Sequence, residues 1–99
     1  MVRVWGNWCG PNWTAGQRKA AQDATKDDER VSCIDSLDCG CRKHDLSIRD
    51  NGASFESDLK LQRIAEKILA NPFNAITNPS QYAAANVVAI GMALSKWRR

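Results

Sequence analysis

Apolar positions follow a helical period over three stretches of the chain and follow none before them. The first sixteen residues interrupt Trp, Asn and Pro with glycines, which breaks both helix and strand periods and predicts a structured loop. From about Gln17 to Arg30 the chain is polar, with a short helix expected over "QRKAAQDA" and a charged connection after it. A longer helix is predicted from Asp35 or Ser36 to "RDNG", with Ile34, Leu37, Cys41 and Ile48 on one stripe and Gly52 as its terminator. The same count places His44 on that stripe. A second helix starts near Ser54 or Ser57 and carries Leu61, Ile64, Ala65, Ile68 and Leu69, with Asp58 one turn before Leu61. After "NPFNAITNPS", Asn78 and Pro79 form a cap and first-turn pair for a last helix. Val87, Ile90, Gly91, Leu94 and Trp97 are its expected buried stripe, and "KWRR" closes it with charge that suits the helix dipole.

The connection between the first two long helices is short, so they are expected to pack antiparallel as a hairpin. His44 lies roughly 10 Å before the turn and Asp58 roughly 6 Å after it, at about 1.5 Å per residue. The two side chains therefore face each other. A carboxylate that fixes one ring nitrogen of a histidine leaves the other free to take a proton, which is the minimal form of an oriented general base. A core histidine satisfied by a structural Asp is the plainer alternative. Asp45 follows His44 and points about 100° to one side of the stripe. There it is either a solvent-facing helix charge or a ligand for a hard cation such as calcium, with carbonyl oxygens drawn from the loop of residues 8 to 16.

At 99 residues the chain is long enough for one small domain. Its four cysteines, Cys9, Cys33, Cys39 and Cys41, suit a disulfide-stabilised extracellular fold, and by count alone any of three pairings is open. The net charge of +3 is scattered and identifies no partner. The longest apolar run, Tyr82 to Leu94, is shorter than the roughly 20 residues a bilayer demands, so no transmembrane segment is expected. "MVRVWGNWCG" has no apolar leader core, which together with the cysteines predicts a mature or excised secreted domain. No motif supports nucleic-acid binding.

"WCGPN", from Trp8 to Asn12, and "DSLDCGCRKHD", from Asp35 to Asp45, together resemble the secreted phospholipase A2 superfamily, in its compact, cysteine-poor branch. The resemblance covers roughly residues 6 to 61 and is strongest in the Cys-x-x-His-Asp core. It implies an all-α, disulfide-stabilised domain whose helical hairpin carries the active site, with a calcium-binding loop before it and a C-terminal helix after it. The implied activity is calcium-dependent hydrolysis of the sn-2 ester of glycerophospholipids. His44 would be the general base, Asp58 its carboxylate partner and the Gly10 N–H an oxyanion donor. Asp45 and the carbonyls of Trp8, Gly10 and Asn12 would hold Ca2+. Cys9 with Cys41 and Cys33 with Cys39 are the implied disulfides. The chain departs from the family at Asn12, where Gly is usual, and at Ile48, where a Tyr often supports the second Asp; that one hydrogen bond is either missing or replaced, by Tyr82 or water.

The implied partner is a phospholipid membrane surface met peripherally, with Trp5, Trp8, Trp13 and "KWRR" as interfacial candidates and core tryptophans as the alternative. A scaffold of the same fold that binds membranes or a protein without catalysis is the alternative function. A zinc site on Cys33, Cys39, Cys41 and His44 is a third reading with poorly fitting spacing.

Overall fold

The protein, described as a computed structural model over residues 3–94, is small and mostly helical, with two disulfides. Before the helices, strands β1 (Trp13–Thr14) and β2 (Gln17–Arg18) pair antiparallel, with Trp13 opposite Arg18 and Thr14 opposite Gln17. Ala15 and Gly16 connect them at φ 55° and 74°. Two positive-φ residues match the turn to the strand twist, at the cost of placing a Cβ in the left-handed region at Ala15.

The helix expected over residues 17–24 is absent. Gln17 and Arg18 belong to β2, and only one 3-10 turn, Ala21–Asp23, remains. The cause is tertiary. Thr14 Oγ1 donates to Lys19 O at 3.1 Å, and Ala21 and Ala24 are buried, Ala21 in a turn packed on the first long helix. Asp28, in a second 3-10 turn (Asp28–Arg30), fixes the rest of this region. It accepts from Lys19 Nζ at 2.7 Å, from the Thr25 N–H at 2.8 Å and from Gln17 Nε2 at 3.2 Å.

The Lys19 ammonium, first, and then the Thr25 N–H hold the Asp28 carboxyl at about 2, below its usual 3.8. Folding thus favours the ionised form, so the stabilisation is complete above pH 4 and is lost as pH falls toward 2. Urea midpoints measured from pH 5 to pH 2 should fall with acid, and Lys19→Met should flatten that fall. An identical pH profile in the variant would remove Lys19 as the cause.

Four α-helices follow among the described residues: α1 (Ser36–Asn51), α2 (Phe55–Leu69), α3 (Phe73–Thr77) and α4 (Pro79–Ala93). Their starts follow from local chemistry. The Asp35 side chain accepts from the Asp38 N–H, Ser54 from the Ser57 N–H and Asn78 from the Gln81 N–H, so each long helix begins on a side-chain cap. α1 ends at Gly52, φ 81°, whose N–H bonds Ile48 O at 2.9 Å. Gly52, Ala53 and Ser54 lead into α2, which packs against both α1 and α4.

The core gathers Trp8 from the N-terminal loop, Leu37 and Cys41 from α1, Leu61, Ala65 and Ile68 from α2, and Ala84, Ala85, Val88 and Met92 from α4. Two expectations fail here. Ile34 precedes α1 and is 58 % exposed. In α4 the buried face is Ala84, Ala85, Val88, Gly91 and Met92, whereas Val87, Ile90 and Leu94 are outward at 46 %, 60 % and 59 % exposed. α4 is apolar almost all round, so periodicity does not select its inner face. Small residues do: Ala84, Ala85 and Gly91 let its backbone approach α2, where Ala65 is also fully buried. Trp97 and "KWRR" lie outside the described residues.

Candidate active site

Two covalent ties fix the N-terminal region to α1. Cys9 is bonded to Cys41 and Cys33 to Cys39, as the resemblance implied. All four thiols are consumed, so the zinc reading is excluded. The cysteines flank a third tie that the sequence did not reveal as part of the site. Asp38, fully buried in the first turn of α1, accepts from the N–H groups of Asn7 at 3.1 Å, Trp8 at 2.8 Å and Ile34 at 3.0 Å. The loop crosses this carboxylate so closely that a Cβ on Gly6 would fall 2.4 Å from Asp38 Cγ. The available signal was a carboxylate three residues after the Asp35 cap, but that placement equally suits the helix dipole.

The loop from Trp8 to Asn12 is ordered by these ties. Trp8 is fully buried, with Nε1 donating to Val31 O at 3.1 Å, so it is a core residue rather than an interfacial one. Trp5 and Trp13 are half-buried, their indole N–H groups donating to Asp35 Oδ2 at 2.7 Å and Gly6 O at 3.3 Å. Gly10 has φ 142° and Asn12 φ 54°. Asn12 thus adopts the left-handed backbone that Asn tolerates better than most residues. The Gly10 carbonyl accepts the Trp13 N–H at 3.2 Å and keeps a second lone pair.

On α1 and α2 the expected pair is in contact. His44 Nε2 is 2.7 Å from Asp58 Oδ1, and both side chains are almost wholly buried. An ionised Asp58 can only accept, which puts the proton on Nε2 and leaves the lone pair on Nδ1. Nδ1 stands 3.8 Å from Asp45 Oδ1, beyond hydrogen-bond length but well within electrostatic reach. Burial pushes the His44 pKa down, but the carboxylates of Asp45 and Asp58 together outweigh it and raise the value above 6.5.

Asp45 is not a solvent-facing helix charge: it is 8 % exposed. Burial pushes its carboxyl up to about 7, against the opposing pull of His44 and of the Thr14 side chain. Its Oδ2 is buried and has no hydrogen-bond partner. An oxygen of this kind is costly unless a proton or a cation satisfies it. Among the described residues no group of three or more His, Cys, Asp and Glu side chains is arranged to hold a metal. A cation here would rest on Asp45 and backbone oxygens, the donor set of a hard ion.

Ile48, one turn after His44, is buried, and the Tyr82 hydroxyl is directed at Leu69 O, 3.5 Å away. A groove of about 440 Å3 opens between α1 and α2 and is lined by His44. Comparison with protein-family models, curated proteins and solved structures returns no match.

Proposed function

We propose that the protein is a calcium-dependent phospholipase A2 that hydrolyses the sn-2 ester of glycerophospholipids to a fatty acid and a lysophospholipid. One observation carries the reading: a buried His44–Asp58 pair at 2.7 Å beside Asp45, whose buried Oδ2 has no partner. His44 and Asp45 lie on the helix that the Cys9–Cys41 bond joins to the Gly10 loop. The residues present suit a calcium ion, held by Asp45 and the carbonyls of Trp8, Gly10 and Asn12. Bound there, calcium supplies a Lewis acid for the ester carbonyl and offsets the Asp45 charge.

The chain's own residues supply the proton chemistry. Asp58 holds the imidazole through Nε2, and Nδ1 takes the proton of a water as its oxygen attacks the carbonyl carbon. The Gly10 N–H donates to the developing oxyanion. Collapse of the tetrahedral species breaks the bond to the glycerol oxygen, which recovers the proton from His44 Nδ1. Two disulfides suit an oxidising compartment, and the reading places the enzyme outside the cell, peripheral to a phospholipid surface. No described helix is long and apolar enough to cross a membrane.

The test is fatty-acid release from phospholipid with calcium and with chelator. Hydrolysis that disappears on chelation and returns with calcium is the expected result. Full activity in chelator refutes the metal dependence, and calcium binding without turnover on any phospholipid favours the non-catalytic scaffold.

A further inference from the structure

The turn before the β1–β2 hairpin spends one set of backbone groups on the fold and leaves two others turned out. The Cys9 N–H donates to Trp5 O at 3.1 Å, and Cys9 O accepts from the Val4 N–H at 2.8 Å and the Trp5 N–H at 3.2 Å. The peptide bonds are trans, so the Trp8 carbonyl points opposite to the Cys9 N–H, and the Gly10 N–H points opposite to the Cys9 carbonyl. Both groups therefore face away from Val4 and Trp5. Neither has a hydrogen-bond partner among the described residues.

Three residues on one face of α1, Asp38, Cys41 and Asp45, meet this turn in order. Asp38 takes the Asn7 and Trp8 N–H groups, Cys41 takes the Cys9 sulfur, and Asp45, last in line, carries the unpartnered oxygen. We infer that Asp38 is a positioning residue for the calcium site: by fixing the Asn7–Trp8 backbone, it holds the Trp8 carbonyl and the Gly10 N–H in these directions before any metal binds. The inference rests on the proposed phospholipase reading and adds that the loop is preformed rather than gathered by calcium. A Cβ on Gly6 would fall 2.4 Å from Asp38 Cγ, and the same closeness leaves no room for a longer acid at position 38.

Calorimetric titration with calcium tests this without lipid or turnover. Asp38→Asn sets an amide group against three N–H donors, so it should keep both disulfides and weaken calcium binding about 10-fold to 100-fold, as loss of an outer partner does at metal sites. Asp38→Glu keeps the charge and should weaken binding too. A folded Asn variant with a lower urea midpoint but natural calcium affinity would make Asp38 purely structural and overturn the inference. Natural affinity in the Glu variant also overturns it, by assigning the effect to charge alone. A natural chain that binds no calcium overturns the phospholipase reading and the positioning role together. Amide exchange on the metal-free natural chain decides the matter even if a variant misfolds. The Asn7 and Trp8 amides should be protected about 1,000-fold over a free peptide before calcium is added, and should change little afterwards. Exchange near the free-peptide rate that slows only with calcium would mean that the metal gathers the loop, and refutes preformation.

Discussion

His44→Gln is expected to fold with both disulfides intact and to lose hydrolysis by about 100-fold to 10,000-fold, the contribution of a positioned general base. Gln is close to His in reach and its amide can still donate to Asp58 Oδ1, now 2.7 Å from Nε2, so the buried carboxylate keeps a partner. What Gln lacks is the lone pair at Nδ1. The core around the site is otherwise untouched, because His44 contributes a polar ring between α1 and α2 rather than apolar volume. Circular dichroism and non-reducing mass should match the natural chain while fatty-acid release collapses. Activity within a few-fold of the natural chain would show that the His44–Asp58 pair is structural.

Removing the Cys9–Cys41 bond should cost more stability than removing Cys33–Cys39. The first closes a sequence separation of 32 and the second one of 6. Chain-entropy estimates give about 3–4 kcal/mol for the longer closure and about 2 kcal/mol for the shorter. The longer bond also has a neighbour that depends on it. Cys41 lies one turn before Asp45 and Cys9 is beside Gly10, so opening the bridge releases the loop from the helix that bears the orphaned carboxylate. Cys9→Ala with Cys41→Ala should therefore lower the urea midpoint further than Cys33→Ala with Cys39→Ala. It should also weaken calcium affinity, which the second pair should leave nearly constant. Equal losses in both variants would mean that Asp38, through its three backbone bonds, holds the loop without help from the disulfide.

Much of the site is legible along α1 and α2 because a regular helix converts spacing into direction. His44 and Asp58 could be placed on facing stripes from sequence, and the contact between them follows from helices whose ends are set by Asp35, Gly52 and Ser54. Outside regular helices the same reasoning weakens. The "QRKAAQDA" stretch has good helix formers, but Lys19 is drawn to Asp28 and Thr14, and a hairpin with one 3-10 turn results. Asp38 is not legible as a loop anchor for a related reason, since two of its three donors, the Asn7 and Trp8 N–H groups, come from a loop remote in sequence.

The sequence by itself determined the starts of α1, α2 and α4, the short connection that joins α1 to α2, and the presence of a histidine and two carboxylates at spacings that let them meet. Each depends on interactions within a few residues. Only the tertiary structure decided that Asp45 is buried with an unpartnered oxygen, that Trp8 belongs to the core, and that α4 turns its small residues inward and Val87, Ile90 and Leu94 outward. Those outcomes depend on what packs against each side chain. A charge beside a histidine or an apolar residue on an all-apolar helix has the same local preferences in either environment.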